Sequence, residues 1–161
     1  MAVESRTNFN QKTYILHGDC KYRKVDGVTG FGTSGRDTDG DMVKGTVMCW
    51  DSSDPPELVP LTSLVANDGT SIPCGILHCT LSEAELEAVA TSAVVECLLL
   101  TQADCYNENE LVFDGASPSI TLDSIVITDL TEDVHKGTVR DLLEKQGIYF
   151  GIDADVSDYE S

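Results

Sequence analysis

The sequence has little positive charge, few aromatic side chains and no long hydrophobic run. Lys and Arg number 10 against 28 Asp and Glu, which gives a formal net charge of −18 over 161 residues. Because proteins bind nucleic acids by neutralising phosphates with Lys and Arg, we expect no direct nucleic-acid binding. The longest apolar stretch, residues 93–100, is interrupted by Glu96 and is far shorter than the roughly 18 residues of a membrane span, so we expect no membrane insertion.

Sequence signatures of catalysis and of disulfide scaffolds are also missing. There is no nucleophile elbow, no glycine-rich phosphate loop before a helix and no H-E-x-x-H motif, so the pattern favours a protein that is not an enzyme and uses no cofactor.

The N-terminus lacks the order of a secretory signal. The six cysteines form no C-x-x-C pair, and we expect them to be reduced thiols of a protein made in a cytoplasm. They are Cys20, Cys49, Cys74, Cys79, Cys97 and Cys105.

Two groups of side chains have part of the pattern of a metal site. Asp37, Asp39 and Asp41 have the alternate spacing of a calcium loop, but Gly40 is the fourth residue rather than the sixth, and Met48 stands where the bidentate Glu is needed. A solvated acidic turn is the favoured interpretation, and we expect no bound metal.

The histidines and cysteines leave a second, chemically different alternative open. His17 and Cys20 have a plausible ligand spacing, whereas His78 and Cys79 are adjacent and would point to opposite faces of a strand. Cys and His groups that catalyse a reaction meet in space rather than in sequence. A small acidic Cys/His enzyme or metal-binding module is therefore the alternative function.

The charge is distributed unevenly along the chain. Residues 1–50 carry seven basic and six acidic groups, a net of +1, whereas residues 51–161 carry three basic and 22 acidic groups, a net of −19. A nearly neutral N-terminal part joined to a strongly acidic remainder suggests that the two parts face different surroundings. Solubility at high local concentration is the simpler explanation of the acidity.

The hydrophobic pattern predicts short strands and two short helices. A capping box at Ser82 predicts a helix over residues 83–89, and Thr138 and Gly147 bound a second one. Residues 27–41 are expected to form a long loop, and residues 93–100 the most buried strand. Together these features predict a β-dominated α+β domain. The other predicted strands cover residues 13–16, 43–50, 57–65, 72–79, 110–113 and 120–127.

Both ends of the chain differ in composition from its middle. Residues 1–13 are polar and aperiodic and predict an extended arm, which precedes a β-rich domain over residues 14–150. Residues 151–161 contain four acidic residues and no basic one, so we expect a loose C-terminal tail.

The order of several segments resembles that of the lambda-type head decoration proteins of tailed bacteriophages. In that family a "K-G-T-V-L" strand leads through "Y-V-P" to a "P-x-G-I-L" strand, an apolar strand, "F-N-E-x-x-L-x-F" and a closing "L-R-x-x-G-I". The matching segments cover residues 45–48, 58–61, 68–77, 94–99, 106–113 and 139–150. The loop over residues 27–41, the segment 114–137 and the tail are longer than the family pattern, and Cys replaces aliphatic residues at positions 74 and 97.

The resemblance implies a capsid cement protein with a small mixed β-barrel, or β-tulip-like, domain. Members of that family bind as homotrimers to the major capsid protein on the outer surface of the expanded head, at three-fold and quasi-three-fold positions. There they stabilise the shell against packaged DNA, and an N-terminal arm adds a strand to a capsid sheet.

On this reading, the predicted docking arm is a polar extended segment with sparse apolar anchors. A tail accessory protein of the same virus is a further alternative, because it would share the acidic, β-rich composition. The arm residues predicted to contact the capsid are Asn8, Phe9, Asn10, Tyr14, Ile15 and Leu16.

Overall fold

The computed structural model describes residues 13–29, 36–52, 56–66, 71–87, 94–113, 120–127 and 135–152. The two α-helices within this part are α1 (Glu83–Glu87) and α2 (Val139–Gln146). The strands are β1 (Cys20–Thr29), β2 (Val47–Trp50), β3 (Leu58–Pro60), β4 (Pro73–Leu77), β5 (Val94–Asn107), β6 (Ile125–Ile127), β7 (His135–Thr138) and β8 (Ile148–Gly151). The prediction of a β-dominated α+β domain is therefore confirmed.

The strand pairings close into a ring. The order β1-β3-β2-β4-β5 is completed by antiparallel pairing of β5 with β1, so the five strands form a small barrel. The parallel contact between β1 and β3 is limited to Val28 and Leu58. The β5 strand extends beyond the ring, and its last residues pair in parallel with β8.

Successive residues of these strands alternate between two hydrophobic clusters, as the two-residue period of a strand requires. Val47 and Cys49 belong to the cluster that also contains Leu143 of α2, whereas Met48 packs with Leu77 and other side chains of the second cluster. The sheet is therefore buried on both faces around β2 and β4, which explains why these strands are apolar throughout.

Local sequence signals determine both helices. Ser82 Oγ accepts a hydrogen bond from the Glu85 backbone N–H at 3.2 Å, and the Glu85 carboxylate accepts one from the Ser82 N–H at 3.0 Å. At α2, Thr138 and Asp141 form the same reciprocal box, and Gly147 ends the helix with φ of 101°. Both predicted helix starts and the predicted end of α2 are confirmed.

Several strand boundaries differ from the sequence prediction. No strand was predicted over Cys20–Thr29, because the exposed K-Y-R-K segment hides the alternation, and β1 ends inside the predicted loop 27–41. The β5 strand runs to Asn107, well beyond residue 100, and β7 was not predicted. Segments 13–16 and 110–113 contain only isolated bridges. These boundaries depend on long-range pairing, which a local pattern does not record.

Candidate functional site at the base of the N-terminal arm

The predicted docking residues fall into two groups. Asn8, Phe9 and Asn10 lie outside the described residues. Tyr14, Ile15 and Leu16 are described, half-buried, and lie against the last residues of β5. The structure thus places the second group in the β-rich domain, at the point where the arm begins.

Backbone pairing holds this segment to β5. The Leu16 N–H donates to the Cys105 carbonyl at 2.9 Å, and the Asn107 N–H donates to the Tyr14 carbonyl at 2.7 Å. These two bonds flank an antiparallel bridge between Ile15 and Tyr106. In an antiparallel pair, successive residues of a strand direct their backbone N–H and C=O alternately towards the partner strand and away from it. Since Tyr14 and Leu16 bond to β5, the backbone N–H and C=O of Ile15 point away from β5. That outward edge has the geometry to receive another strand.

Asn107 fastens the segment with its side chain as well. Its Nδ2 donates to the Thr13 carbonyl at 2.8 Å, while its Oδ1 accepts from the Asn109 N–H at 3.2 Å and begins a 3-10 turn over Glu108–Glu110. The Asn107 residue is only 2% exposed, so its amide is a buried polar group with both ends bonded. The sequence analysis did not single out this residue, although an Asn between a strand and a polar turn is a signal for side-chain capping.

Aromatic packing also holds segment 13–16 against β5. The Tyr14 and Tyr106 ring centroids are 6.3 Å apart, and the Lys44 ammonium lies 4.4 Å from the centre of the Tyr14 ring. Burial, together with the neighbouring charge of Glu110, raises the pKa of Tyr14. Burial likewise raises the pKa of Tyr106, with Tyr14 and Glu110 adding to the effect. Both phenols are therefore neutral at physiological pH.

A cleft of about 510 Å³ begins beside this clamp, at the first two residues of the 3-10 turn. Arg140 spans its polar rim, with its Nη1 3.0 Å from a Glu108 carboxylate oxygen and its Nε 3.4 Å from one of Asp123. Burial lowers the pKa of Arg140, but the bonds to these two carboxylates more than offset that and raise it. The remaining lining residues are mostly apolar: Asn109, Leu111, Val112, Phe113, Ile120, Thr121 and Leu122.

Two of the cysteines on which the alternative function could depend are buried in the core or packed against it. Burial raises the pKa of Cys49 and that of Cys74 to about 12, which keeps both thiols protonated and poorly nucleophilic. The Cys79 sulfur accepts the Leu98 N–H at 3.4 Å, and the adjacent His78 stacks on Tyr22 with centroids 5.2 Å apart. Burial, with a contribution from Lys44, lowers the pKa of His78.

Two of the three aspartates with calcium-loop spacing accept hydrogen bonds from nearby backbone N–H groups. Asp37 Oδ1 accepts the N–H groups of Asp39 and Asp41, each at 2.9 Å, and an Asp41 oxygen accepts the Glu83 N–H at the start of α1. These carboxylates order a turn and join it to the helix. Across the described parts of the chain, no group of three or more His, Cys, Asp or Glu side chains is arranged to hold a metal ion.

Comparison with known proteins gives no match to a family model, to a curated protein or to a solved structure. Among the described residues, no helix is both long and apolar enough to cross a membrane.

Proposed function

We propose that this protein is a capsid decoration protein that binds the outer surface of an expanded phage head and stabilises the shell. Its partner is the major capsid protein, and it acts as a homotrimer at three-fold and quasi-three-fold positions. The proposal rests first on the resemblance of six segments, in the same order, to the head decoration proteins.

The observation that carries the proposal is the clamp at Asn107. An arm that is to add a strand to a partner needs a fixed starting point, since a loose base would increase the entropy lost on docking. Asn107 and the β5 backbone supply that point by holding Thr13, Tyr14 and Leu16. Ile15 directs its backbone N–H and C=O away from β5, which is the geometry that a further strand would need in order to pair with this segment.

Electrostatics and avidity support the same function. The nearly neutral residues 1–50 include the arm and the segment 13–16 that pairs with β5. The remaining residues carry a net charge of −19, which suits a solvent-facing surface on a crowded particle. Three arms on one trimer raise the effective concentration of each arm at the shell, so modest individual contacts produce slow release.

The alternative of a Cys/His enzyme has weaker support. A nucleophilic cysteine needs a depressed pKa, and the pKa of Cys49 and that of Cys74 are shifted in the opposite direction. The cleft beside the arm contains Arg140 and two carboxylates, but both carboxylates are paired with the same guanidinium.

The test is co-sedimentation of the purified protein with expanded and unexpanded empty heads that lack it. We expect saturable binding to expanded heads alone, with bound copies in multiples of three. Deleting residues 1–12 should abolish the binding, whereas deleting residues 153–161 provides a terminal truncation of similar length that should preserve it. Absence of binding to either head would refute the proposal, and binding along tails would indicate the tail accessory function.

A further inference from the structure

Two cysteines lie opposite each other where β4 ends beside β5. The two strands are antiparallel, and just beyond the last residue of β4 the His78 N–H donates to the Leu98 carbonyl at 2.8 Å. In an antiparallel pair the next residue of one strand lies opposite the preceding residue of the other, so the following pair is Cys79 and Cys97. Because His78 is hydrogen-bonded across the strands, Cys79 is at the alternate kind of position, where opposite side chains approach most closely.

Both thiol side chains are on the same face of the sheet. Cys97 belongs to the second hydrophobic cluster and is 3% exposed, and Cys79 is half-buried against the same cluster. The Cys79 sulfur accepts the Leu98 N–H at 3.4 Å. Since that nitrogen is two bonds from the Cys97 Cα, the Cys79 sulfur lies within about 6 Å of this Cα. Rotation of the two side chains is then sufficient to bring the sulfurs into contact.

The two cysteines of β2 and β4 are placed less favourably for a bond to Cys97. Cys49 belongs to the first hydrophobic cluster, on the opposite face of the sheet. Cys74 packs against the second cluster but lies near the start of β4, whereas Cys79 follows its end. Burial, with a smaller contribution from Cys49, raises the pKa of Cys74 to about 12, so its thiol is a poor nucleophile. The strand register therefore selects Cys79 as the partner of Cys97.

We propose that Cys79 and Cys97 are an oxidation site, at which a small disulfide such as oxidised glutathione converts the two thiols into one intramolecular disulfide. The half-buried Cys79 reacts first: its thiolate attacks the oxidant, forms a mixed disulfide and releases one small thiol. The thiolate of Cys97 then attacks the Cys79 sulfur and releases the second small thiol. The oxidant gains two electrons from the protein sulfurs, and the two thiol protons end on the two released thiols.

The bond would join the end of β4 to β5 and enclose α1, whose Leu86 is fully buried in the same cluster. A cross-link over a segment of this length restricts the unfolded chain and thereby stabilises the folded domain. The biological setting rests on the proposed function, because a decoration protein is made in a reducing cytoplasm and leaves it on the virion for an oxidising medium. The chemistry itself requires no head.

The experiment is oxidation of the purified full-length protein by oxidised glutathione in the absence of heads. The remaining thiols are alkylated, and the protein is cleaved after Glu83 and Glu96, which separates the two cysteines. Mass spectrometry without reduction then identifies the linked peptides, and their fragmentation assigns the bonded sulfurs. We expect a disulfide between Cys79 and Cys97 as the main intramolecular product. Absence of any cross-link, or a cross-link of Cys97 to Cys74 instead, would overturn the proposal.

Single variants test the order of the two steps. Cys97→Ala should stop the reaction at the mixed disulfide, so that one glutathionyl group stays on Cys79. Cys79→Ala should leave Cys97 as a thiol, because that side chain is 3% exposed. The matched control Cys74→Ala removes a neighbouring cysteine and should still form the cross-link. Oxidation of Cys97 at the wild-type rate in Cys79→Ala would contradict the assignment of Cys79 as the first thiol to react.

Thermal unfolding tests the stabilising effect of the bond. The oxidised wild type should unfold about 6–12 °C above the reduced wild type, and dithiothreitol should remove the difference. Cys79→Ala treated in the same way should show no difference. Equal Tm values for the oxidised and the reduced wild type would refute the stabilising effect. None of these measurements involves head binding, so the oxidation site can fail while the decoration function stands, and the reverse.

Discussion

Replacing Asn107 by Ala tests the clamp on which the proposed function depends. The substitution removes two side-chain hydrogen bonds, one to Thr13 and one from the Asn109 N–H, from a residue that is 2% exposed. Each such bond contributes about 0.5–1.5 kcal/mol. Because Thr13 is exposed, its freed carbonyl can bind water, and we expect Asn107→Ala to lower the free energy of unfolding by about 2 kcal/mol in total.

Chemical denaturation and thermal unfolding measure this loss directly. For a chain of 161 residues, each kcal/mol corresponds to roughly 2–4 °C in Tm, so the transition should fall by about 4–8 °C. Hydrogen exchange gives a local readout, since the amide of Leu16 should exchange faster once the Thr13 end of the pairing is loosened.

The matched control is Asn109→Ala, in the same turn. This Asn is exposed, and the bond it makes to Asn107 uses its backbone N–H, which Ala retains. It should change the free energy of unfolding by less than about 0.5 kcal/mol. If Asn107→Ala were equally silent and left the exchange of Leu16 unchanged, the side-chain clamp would be refuted.

Three further predictions concern the domain itself. Gly75→Ala should lower the free energy of unfolding by about 1–3 kcal/mol, because its Cβ would lie 2.6 Å from the Leu100 carbonyl oxygen; urea titration measures this. Thr138→Ala removes the N-cap of α2 and should cost about 1 kcal/mol in the same assay. The pKa values of about 12 for Cys49 and Cys74 predict that stability is lost as the pH rises from 9 towards 12, since unfolded thiols ionise near 9 and the folded ones stay protonated.

Controls separate these effects from general damage. Ala84→Gly, in the exposed face of α1, is a change of similar size that leaves the barrel and α2 untouched. For the alkaline effect, the double variant Cys49→Ala and Cys74→Ala should flatten the pH dependence of unfolding between pH 9 and 12. An unchanged slope in that variant would show that other groups cause the loss, and a silent Gly75→Ala would contradict the close backbone approach.

The fold class and both helix starts were predictable because their determinants are local. A capping box spans four residues, and Ser82 and Thr138 accept hydrogen bonds from backbone amides of the first helical turn. The apolar strands were likewise visible, since β2 and β4 are buried on both faces. The sequence-based prediction that residues 14–16 contact a capsid stays a prediction, and the structure shows these residues half-buried against β5.

Only the tertiary structure revealed the clamp, the cleft and the pairing of β1 with β5 that closes the barrel. Asn107 lies 94 residues from Thr13, and its role depends on a bond that no local pattern encodes. The strand β1 was not predicted, because its exposed polar side chains show no hydrophobic alternation. Its position in the barrel is determined by pairing with β5. Burial by distant strands is the largest cause of the raised pKa of Cys49, and the charge of nearby Asp51 adds to it. Residues close in the chain thus specify caps and turns, whereas contacts across the barrel decide register, burial and the position of the site.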